Sequence, residues 1–85
     1  QKEPNNSTYL DTYAWILYKI EDYDNALIYI EKALKNGGMT NGTLMDHYGD
    51  ILYKLNRFKE AKDAWNRAYE LTNDENILQK VKQTE

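Results

Sequence analysis

The sequence contains no cysteine, which excludes disulfide bonds, thiolate nucleophiles and cysteine metal ligands together. No apolar run approaches the roughly 20 residues that a transmembrane helix needs, so we expect no membrane insertion by this segment. Basic residues are outnumbered 14 to 11 by acidic ones, and the net charge is −3. A nucleic-acid surface normally carries a basic excess, so we expect no nucleic-acid partner.

What the chain does contain is enough apolar material for one small core. Its 85 residues are 41% hydrophobic and 13% aromatic, a composition that argues against wholesale disorder. We therefore predict a single domain over residues 1–85. Because the chain opens without a methionine, we expect it to be a segment of a longer protein.

One short stretch is written twice. The tetrapeptide Ile-Leu-Tyr-Lys occupies 16–19 and returns at 51–54, thirty-five positions later. A fixed period between about 20 and 50 residues indicates stacked supersecondary units. Identical residues keep the same spacing around the tetrapeptide: Thr8 and Thr43, Asp11 and Asp46, Tyr13 and Tyr48, Ala26 and Ala61, Ala33 and Ala68.

Hydrophobic spacing predicts that every element is a helix. Leu10, Tyr13, Ala14 and Leu17 fall at i, i+3, i+4 and i+7, which is one stripe of an α-helix. Similar stripes predict an all-α chain with helices over about 8–20, 23–36, 43–55, 58–71 and 75–83. Between these helices, Asp22 and Asp74 are predicted N-caps, Gly37-Gly38 a helix stop and Asn56 a left-handed turn residue.

The two units resemble tetratricopeptide repeats. That family spaces a large residue, a small residue and later apolar residues along two helices, and the spacing falls on two sets of residues here: Leu10, Tyr13, Ala14, Leu17, Ala26, Ile30 and Ala33, and then Met45, Tyr48, Gly49, Leu52, Ala61, Trp65 and Ala68. Several positions depart from the family pattern; its usual tryptophan, for example, is Leu10 or Met45.

The resemblance implies an α-α superhelix, in which the helix hairpins are arranged with a right-handed superhelical twist. Repeat one would cover about 8–38, repeat two about 43–73 and a capping helix about 74–85. The small residues at matched places would let the helices of a hairpin approach closely: Ala14, Ala26, Gly49 and Ala61.

In such arrays the first helices of successive repeats line a concave groove, which implies a non-catalytic module that binds a protein or peptide segment. We expect Trp15, Tyr18 and Tyr53 to anchor an extended or helical partner, and the aspartates to favour a basic residue. The alternative is that the tyrosine–lysine pairs follow a common family choice and that Trp15 packs on a neighbouring repeat. The predicted groove residues are Asp11, Trp15, Tyr18, Lys19, Asp46, Asp50, Tyr53 and Lys54.

Two more specific activities are argued against. Some family members clamp the carboxylate of a chaperone tail, but the three aspartates of this groove would repel it. His47, the only histidine, follows Asp46 directly, and adjacent helix residues point about 100° apart. We therefore interpret His47 as an exposed helix histidine and expect no metal, cofactor or catalytic site.

The C-terminal residues predict a cap. Trp65, Tyr69, Ile77, Leu78 and Val81 are assigned to the core, and Lys80, Lys82 and Glu85 to the solvent side. Repeat arrays usually need about three units for stability. Either the chain ends a longer array, or it self-associates through the open N-terminal repeat face. A structural end-cap or an accessory domain of a larger protein, without a ligand of its own, is the alternative function.

Overall fold

A computed structural model describes residues 7–84, which form five α-helices. The helices are α1 (Ser7–Lys19), α2 (Tyr23–Lys35), α3 (Gly42–Lys54), α4 (Phe58–Thr72) and α5 (Glu75–Gln83), with a short 3-10 helix at Gly38–Thr40. Residues 7–84 contain no strand. The all-α prediction is confirmed, and each predicted helix boundary lies within one residue of the observed one. The predicted solvent position of Glu85 lies outside the described residues.

The same turn closes both hairpins. Glu21 and Asn56, thirty-five positions apart, adopt left-handed backbone conformations with φ of 66° and 65°. In both turns the next amide donates to a carbonyl near the end of the first helix, Asp22 to Leu17 and Arg57 to Leu52, each at 2.9 Å. The left-handed turn predicted at Asn56 is confirmed, and repeat one makes the same turn with a glutamate.

Side-chain caps begin α2 and α5. The Asp22 carboxylate accepts a hydrogen bond from the Asn25 amide at the start of α2, and the Asp74 carboxylate accepts one from the Asn76 amide at the start of α5. Both predicted caps are confirmed. At the end of α2, Gly37 has a φ of 99°, a conformation that glycine adopts without steric cost.

Small residues bring the two helices of each hairpin together. α1 packs on α2, α3 on α4, α2 joins the two hairpins by packing on α3, and α5 packs on α4. Ala14, Ala26 and Ala61 are fully buried, as is the backbone at Gly49. Trp65 lies so close over Gly49 that a Cβ atom there would stand 2.4 Å from the indole ring. The predicted close approach of the helices is confirmed at Gly49, and the three alanines are buried as predicted.

The cap closes the second hairpin much as predicted. Trp65 on α4 and Ile77 and Val81 on α5 are buried, and Tyr69 packs against this core. Leu78 is half-buried. The apolar side of α5 is thus used against α4, which determines where its other side chains point.

The two repeats differ in what covers their first helix. On α3, Leu44 and Ile51 are fully buried and Tyr48 packs against the core, as does Leu55 directly after the helix. The second helix of repeat one, α2, packs on α3. The counterparts thirty-five positions earlier are exposed. They lie on α1 or, for the last one, directly after it, and we call them the α1 stripe: Tyr9, Tyr13, Ile16 and Ile20.

Candidate functional site

Side chains of α1, α3 and α5 meet on one side of the molecule, which we call the groove face. Its α1 residues Asp11, Trp15 and Tyr18 and its α3 residues Asp46 and Asp50 are half-buried. The remaining predicted residues are more exposed: Lys19, Tyr53 and Lys54. The structure adds His47 and Lys80 to this surface. Whether these residues bind a partner stays a prediction.

Three rings stack on the groove face. The indole of Trp15 lies parallel to the ring of Tyr18, with 4.4 Å between centroids, and to the imidazole of His47, at 4.0 Å. The ammonium of Lys19 sits 5.5 Å from the centroid of Trp15. Trp15 therefore has partners within the described chain, and a neighbouring repeat is not needed to explain its packing.

The interpretation of His47 as an exposed helix histidine is wrong. Its Nδ1 atom lies 2.8 Å from a carboxylate oxygen of Asp11, and the two side chains are only 20% and 16% exposed. The pair joins α3 to α1 across the repeat boundary. The error arose because a helical wheel shows where His47 points on α3 but not that Asp11 and Trp15 of another helix stand there.

The assignment of Lys80 to the solvent side is also wrong. Its ammonium donates to Asp46 at 2.9 Å and to the two carboxylate oxygens of Asp50 at 3.0 and 3.3 Å. It also lies 5.8 Å from the ring centroid of Trp65. Burial of Ile77 and Val81 against α4 turns the intervening lysine toward α3. Helix α5 therefore supplies the basic residue that we expected a partner to bring to these aspartates.

Burial and charge act in opposite directions on this ion pair. Burial raises the pKa of the Asp50 carboxyl, and the hydrogen bond and charge of Lys80 offset that rise only in part. Burial also lowers the pKa of the Lys80 ammonium, but its bonds to Asp46 and Asp50 outweigh burial and leave that pKa above its usual value. Lys80 is thus held in its charged form between two carboxylates. Burial makes the ionised form of one of them, Asp50, unfavourable.

Tyr18 belongs to the same electrostatic neighbourhood. Burial raises the pKa of its hydroxyl, and the negative charge of Asp50 raises it further. The α1 aromatic stack and the α3–α5 ion pair are therefore adjacent parts of one surface.

Lys80→Met should lower the free energy of unfolding near pH 7 by about 1–2 kcal/mol, because two partly buried carboxylates lose their shared cation. Without the lysine, burial at Asp50 loses its main opposition and the folded-state pKa of this carboxyl rises further above the unfolded value. A raised carboxyl pKa means that the folded state binds the proton first, so stability recovers as the pH falls. The loss should therefore shrink between about pH 7 and about pH 4.

Urea unfolding followed by circular dichroism at several pH values measures this loss. Lys82→Met is the matched control, since Lys82 lies on the same helix and is exposed. A loss that is equal for both variants, or constant with pH, would contradict the role given to Lys80.

A second aromatic group occupies the corresponding place in repeat two. Tyr53 contacts Phe58 with 5.0 Å between centroids and Trp65 at 5.6 Å. In repeat one Tyr18 contacts Tyr23 at 5.5 Å, so the tyrosine of each tetrapeptide meets the aromatic residue that opens the second helix. Tyr53 keeps 41% of its surface exposed.

Sequence reasoning missed two residues of this surface, His47 and Lys80. A signal for Lys80 was present: Asp46 and Asp50 share one side of α3, and Lys80 is next to Val81 on a helix predicted to cover α4. No comparable signal in the sequence connects His47 with Asp11.

The rest of the described chain offers weaker candidates for a functional site. A shallow cleft of about 320 Å³ lies away from the groove face, between α3, α4 and Met39 of the 3-10 helix. Among residues 7–84, no cluster of three or more histidine, aspartate or glutamate side chains could hold a metal ion. Within the same residues, every helix is too short or too polar to cross a bilayer.

Comparison with known proteins agrees with this architecture. The family model for the tetratricopeptide repeat matches residues 8–36 and 43–75. The chain is also similar to the clustered mitochondria protein homolog of Candida albicans, with 36% identity over 62 residues, covering 65% of this chain and 4% of that protein. Tetratricopeptide repeats generally mediate protein–protein interaction and are not catalytic. The chain belongs to the tetratricopeptide repeat family.

Proposed function

We propose that the groove face binds a segment of a partner polypeptide, extended or helical, and that the chain has no catalytic activity of its own. The observation that carries this proposal is the row of partly exposed aromatic side chains on α1 and α3, namely Trp15, Tyr18 and Tyr53. Tryptophan and tyrosine are enriched among the residues that dominate binding energy at protein interfaces.

The geometry of the rings supports such a role. Trp15 is held between contacts with Tyr18, His47 and Lys19, so a partner would find it already ordered. Preorganised aromatic side chains lose little conformational entropy on binding, which leaves more of the contact energy as affinity.

The charges favour a different partner from the one expected from sequence. Asp11 is paired with His47, and Asp46 and Asp50 with Lys80, so a basic residue of the partner would have to displace Lys80. The exposed cations of the face are Lys19 and Lys54. We propose a segment with apolar or aromatic side chains over the rings and acidic residues beside them. The same pairings weaken the argument that the aspartates repel a carboxylate.

Peptide selection tests the proposal and does not require an identified partner. Random peptides displayed on phage are selected on the immobilised chain, and the affinity of synthetic copies is measured by fluorescence anisotropy. Substituting Trp15 and Tyr53 together by alanine should weaken binding at least about 30-fold, since loss of an aromatic anchor typically costs about 2 kcal/mol or more.

Ile28→Ala is the matched control, because Ile28 is an exposed apolar residue of α2 outside the groove face. If the Trp15 and Tyr53 double variant bound with undiminished affinity, the proposal that the groove face binds the peptide would be refuted. Failure to select any peptide would favour the alternative function, a structural end-cap or accessory domain.

A further inference from the structure

The α1 stripe is a second surface, distinct from the groove face. Tyr13 and Ile16 on α1 are 46% and 53% exposed, and Ile20, directly after the helix, is 67% exposed. The ring of Tyr13 also contacts Tyr29 of α2 edge-on, with 4.6 Å between centroids. Asp11, Trp15 and Tyr18 point to the opposite side of α1 and are engaged elsewhere. Exposed apolar side chains that share one side of a helix can form a contact site when their combined surface is large enough.

The second repeat shows what kind of object fits this surface. The equivalent positions are Tyr48 and Ile51 on α3 and Leu55 directly after it; Ile51 is fully buried, Tyr48 and Leu55 pack against the core, and α2 packs on that helix. A face with the same spacing and the same apolar character is therefore shaped to receive another α-helix.

The opposite end of the chain does not offer that helix. The outer side of α5 is polar, so head-to-tail stacking of two copies would place the stripe against water-binding groups. The exposed residues of α5 are Glu75, Asn76, Gln79, Lys82 and Gln83.

The matching apolar helix in a second copy is α1 itself. We propose that two copies of this chain associate through their α1 stripes, related by a two-fold axis with the helices antiparallel. With the axis between positions 14 and 15, Tyr13 meets Ile16 of the other copy and Ile20 meets Tyr9. The order of residues along the stripe is thus self-complementary, as an isologous interface requires.

Charged groups lie beside the stripe but not in it; the Lys32 ammonium is 5.0 Å from the ring centroid of Tyr29, which contacts Tyr13. The stripe contains no ionisable carboxylate or ammonium group, since Asp11 is bonded to His47 and Lys19 lies over Trp15 on the groove face. The neighbouring hydroxyl of Thr12 donates to the carbonyl of Thr8 at 3.0 Å. Burial of this threonine would leave its hydroxyl with a hydrogen-bond partner.

The interface is small. The stripe spans about 17 Å of helix, and one helix per copy buries less than the about 1,200 Å² of a standard protein interface. We expect a dissociation constant on the order of tens of micromolar. The proposal does not depend on the groove face, and either can fail without the other.

Sedimentation equilibrium from low micromolar to millimolar protein tests the pairing. The average mass should rise from that of one chain towards that of two and no further.

Ile16→Glu should weaken association at least about 100-fold, because it places two unpaired charges in one interface. Met39→Glu changes an apolar residue of similar exposure, 54% against 53%, on the 3-10 helix that packs on α2 and α3, and should associate like the unsubstituted chain. Monomers at every concentration would overturn the proposal and assign the stripe to a helix of another polypeptide. Masses beyond the dimer, or equal effects of the two glutamates, would also overturn it.

The absence of cysteine provides a second measurement that does not depend on the glutamate variants folding. Ile16→Cys and Met39→Cys each supply a single thiol on an exposed position. Under mild oxidation the position-16 variant should form covalent dimers at least about tenfold faster, because association raises the local thiol concentration. Equal rates for the two variants would contradict the α1–α1 contact.

Discussion

Truncating Ile51 to alanine should lower the free energy of unfolding by about 3–4 kcal/mol, whereas the same truncation of Ile16 should cost about 1 kcal/mol or less. Both isoleucines open the repeated tetrapeptide and lie mid-helix, so the helix propensity lost or gained is the same. They differ in burial, at 0% exposed for Ile51 and 53% for Ile16. The comparison measures what burial between packed helices contributes at this position of the tetrapeptide.

Urea unfolding at the lowest concentration that circular dichroism permits measures both values on the monomer. If Ile51→Ala is too unstable to fold, Ile51→Val should lose about 1 kcal/mol and serve in its place. Equal losses at the two positions would show that α2 does not cover α3 as described.

Gly49→Ala should destabilise the chain by about 2 kcal/mol, even though alanine is the better helix former by about 1 kcal/mol. The added Cβ atom would stand 2.4 Å from the indole of Trp65 and force the ring to move. The ring is not free to do so, because its Nε1 donates to the carbonyl of Asp46 at 3.3 Å and Lys80 lies beside it.

Repeat one shows how the clash can be relieved. There Ala14 replaces Gly49 and Ile30 replaces Trp65, and both are fully buried. The side-chain sizes at the two positions therefore compensate for each other. In repeat two the smallest residue, glycine, faces the large tryptophan, and in repeat one the larger alanine faces the smaller isoleucine. The double variant Gly49→Ala with Trp65→Ile should be more stable than the sum of the single effects by about 1–2 kcal/mol. Additive single effects in a double-mutant cycle would contradict this pairing.

The helical architecture could be predicted because it is a local and repeated property. Each helix carries its own apolar stripe, and capping residues such as Asp22 and Asp74 act within three positions of themselves. The spacing of small residues repeats with the tetrapeptide, so Ala14 and Gly49 are recognisable as contact points. Such features do not depend on how one helix lies on another.

The groove face could be predicted only in part, because its electrostatics depend on contacts between helices. Periodicity places Asp46 and Asp50 on one side of α3, but the ammonium that reaches them comes from α5, thirty or more positions later. His47 meets Asp11 across the repeat boundary in the same way. Small changes in the packing of α1 or α5 would change these partners without changing any helix.

The Lys80 contact has a consequence for ligands of the second repeat. A cation tethered in the same chain competes with any external one at an effective concentration in the millimolar range or above. A free lysine or arginine side chain at cellular concentrations therefore does not occupy Asp46 and Asp50 through its charge alone. Only a ligand with additional contacts can displace the Lys80 ammonium from Asp46 and Asp50. Each such displacement also loosens the packing of α5 over Trp65.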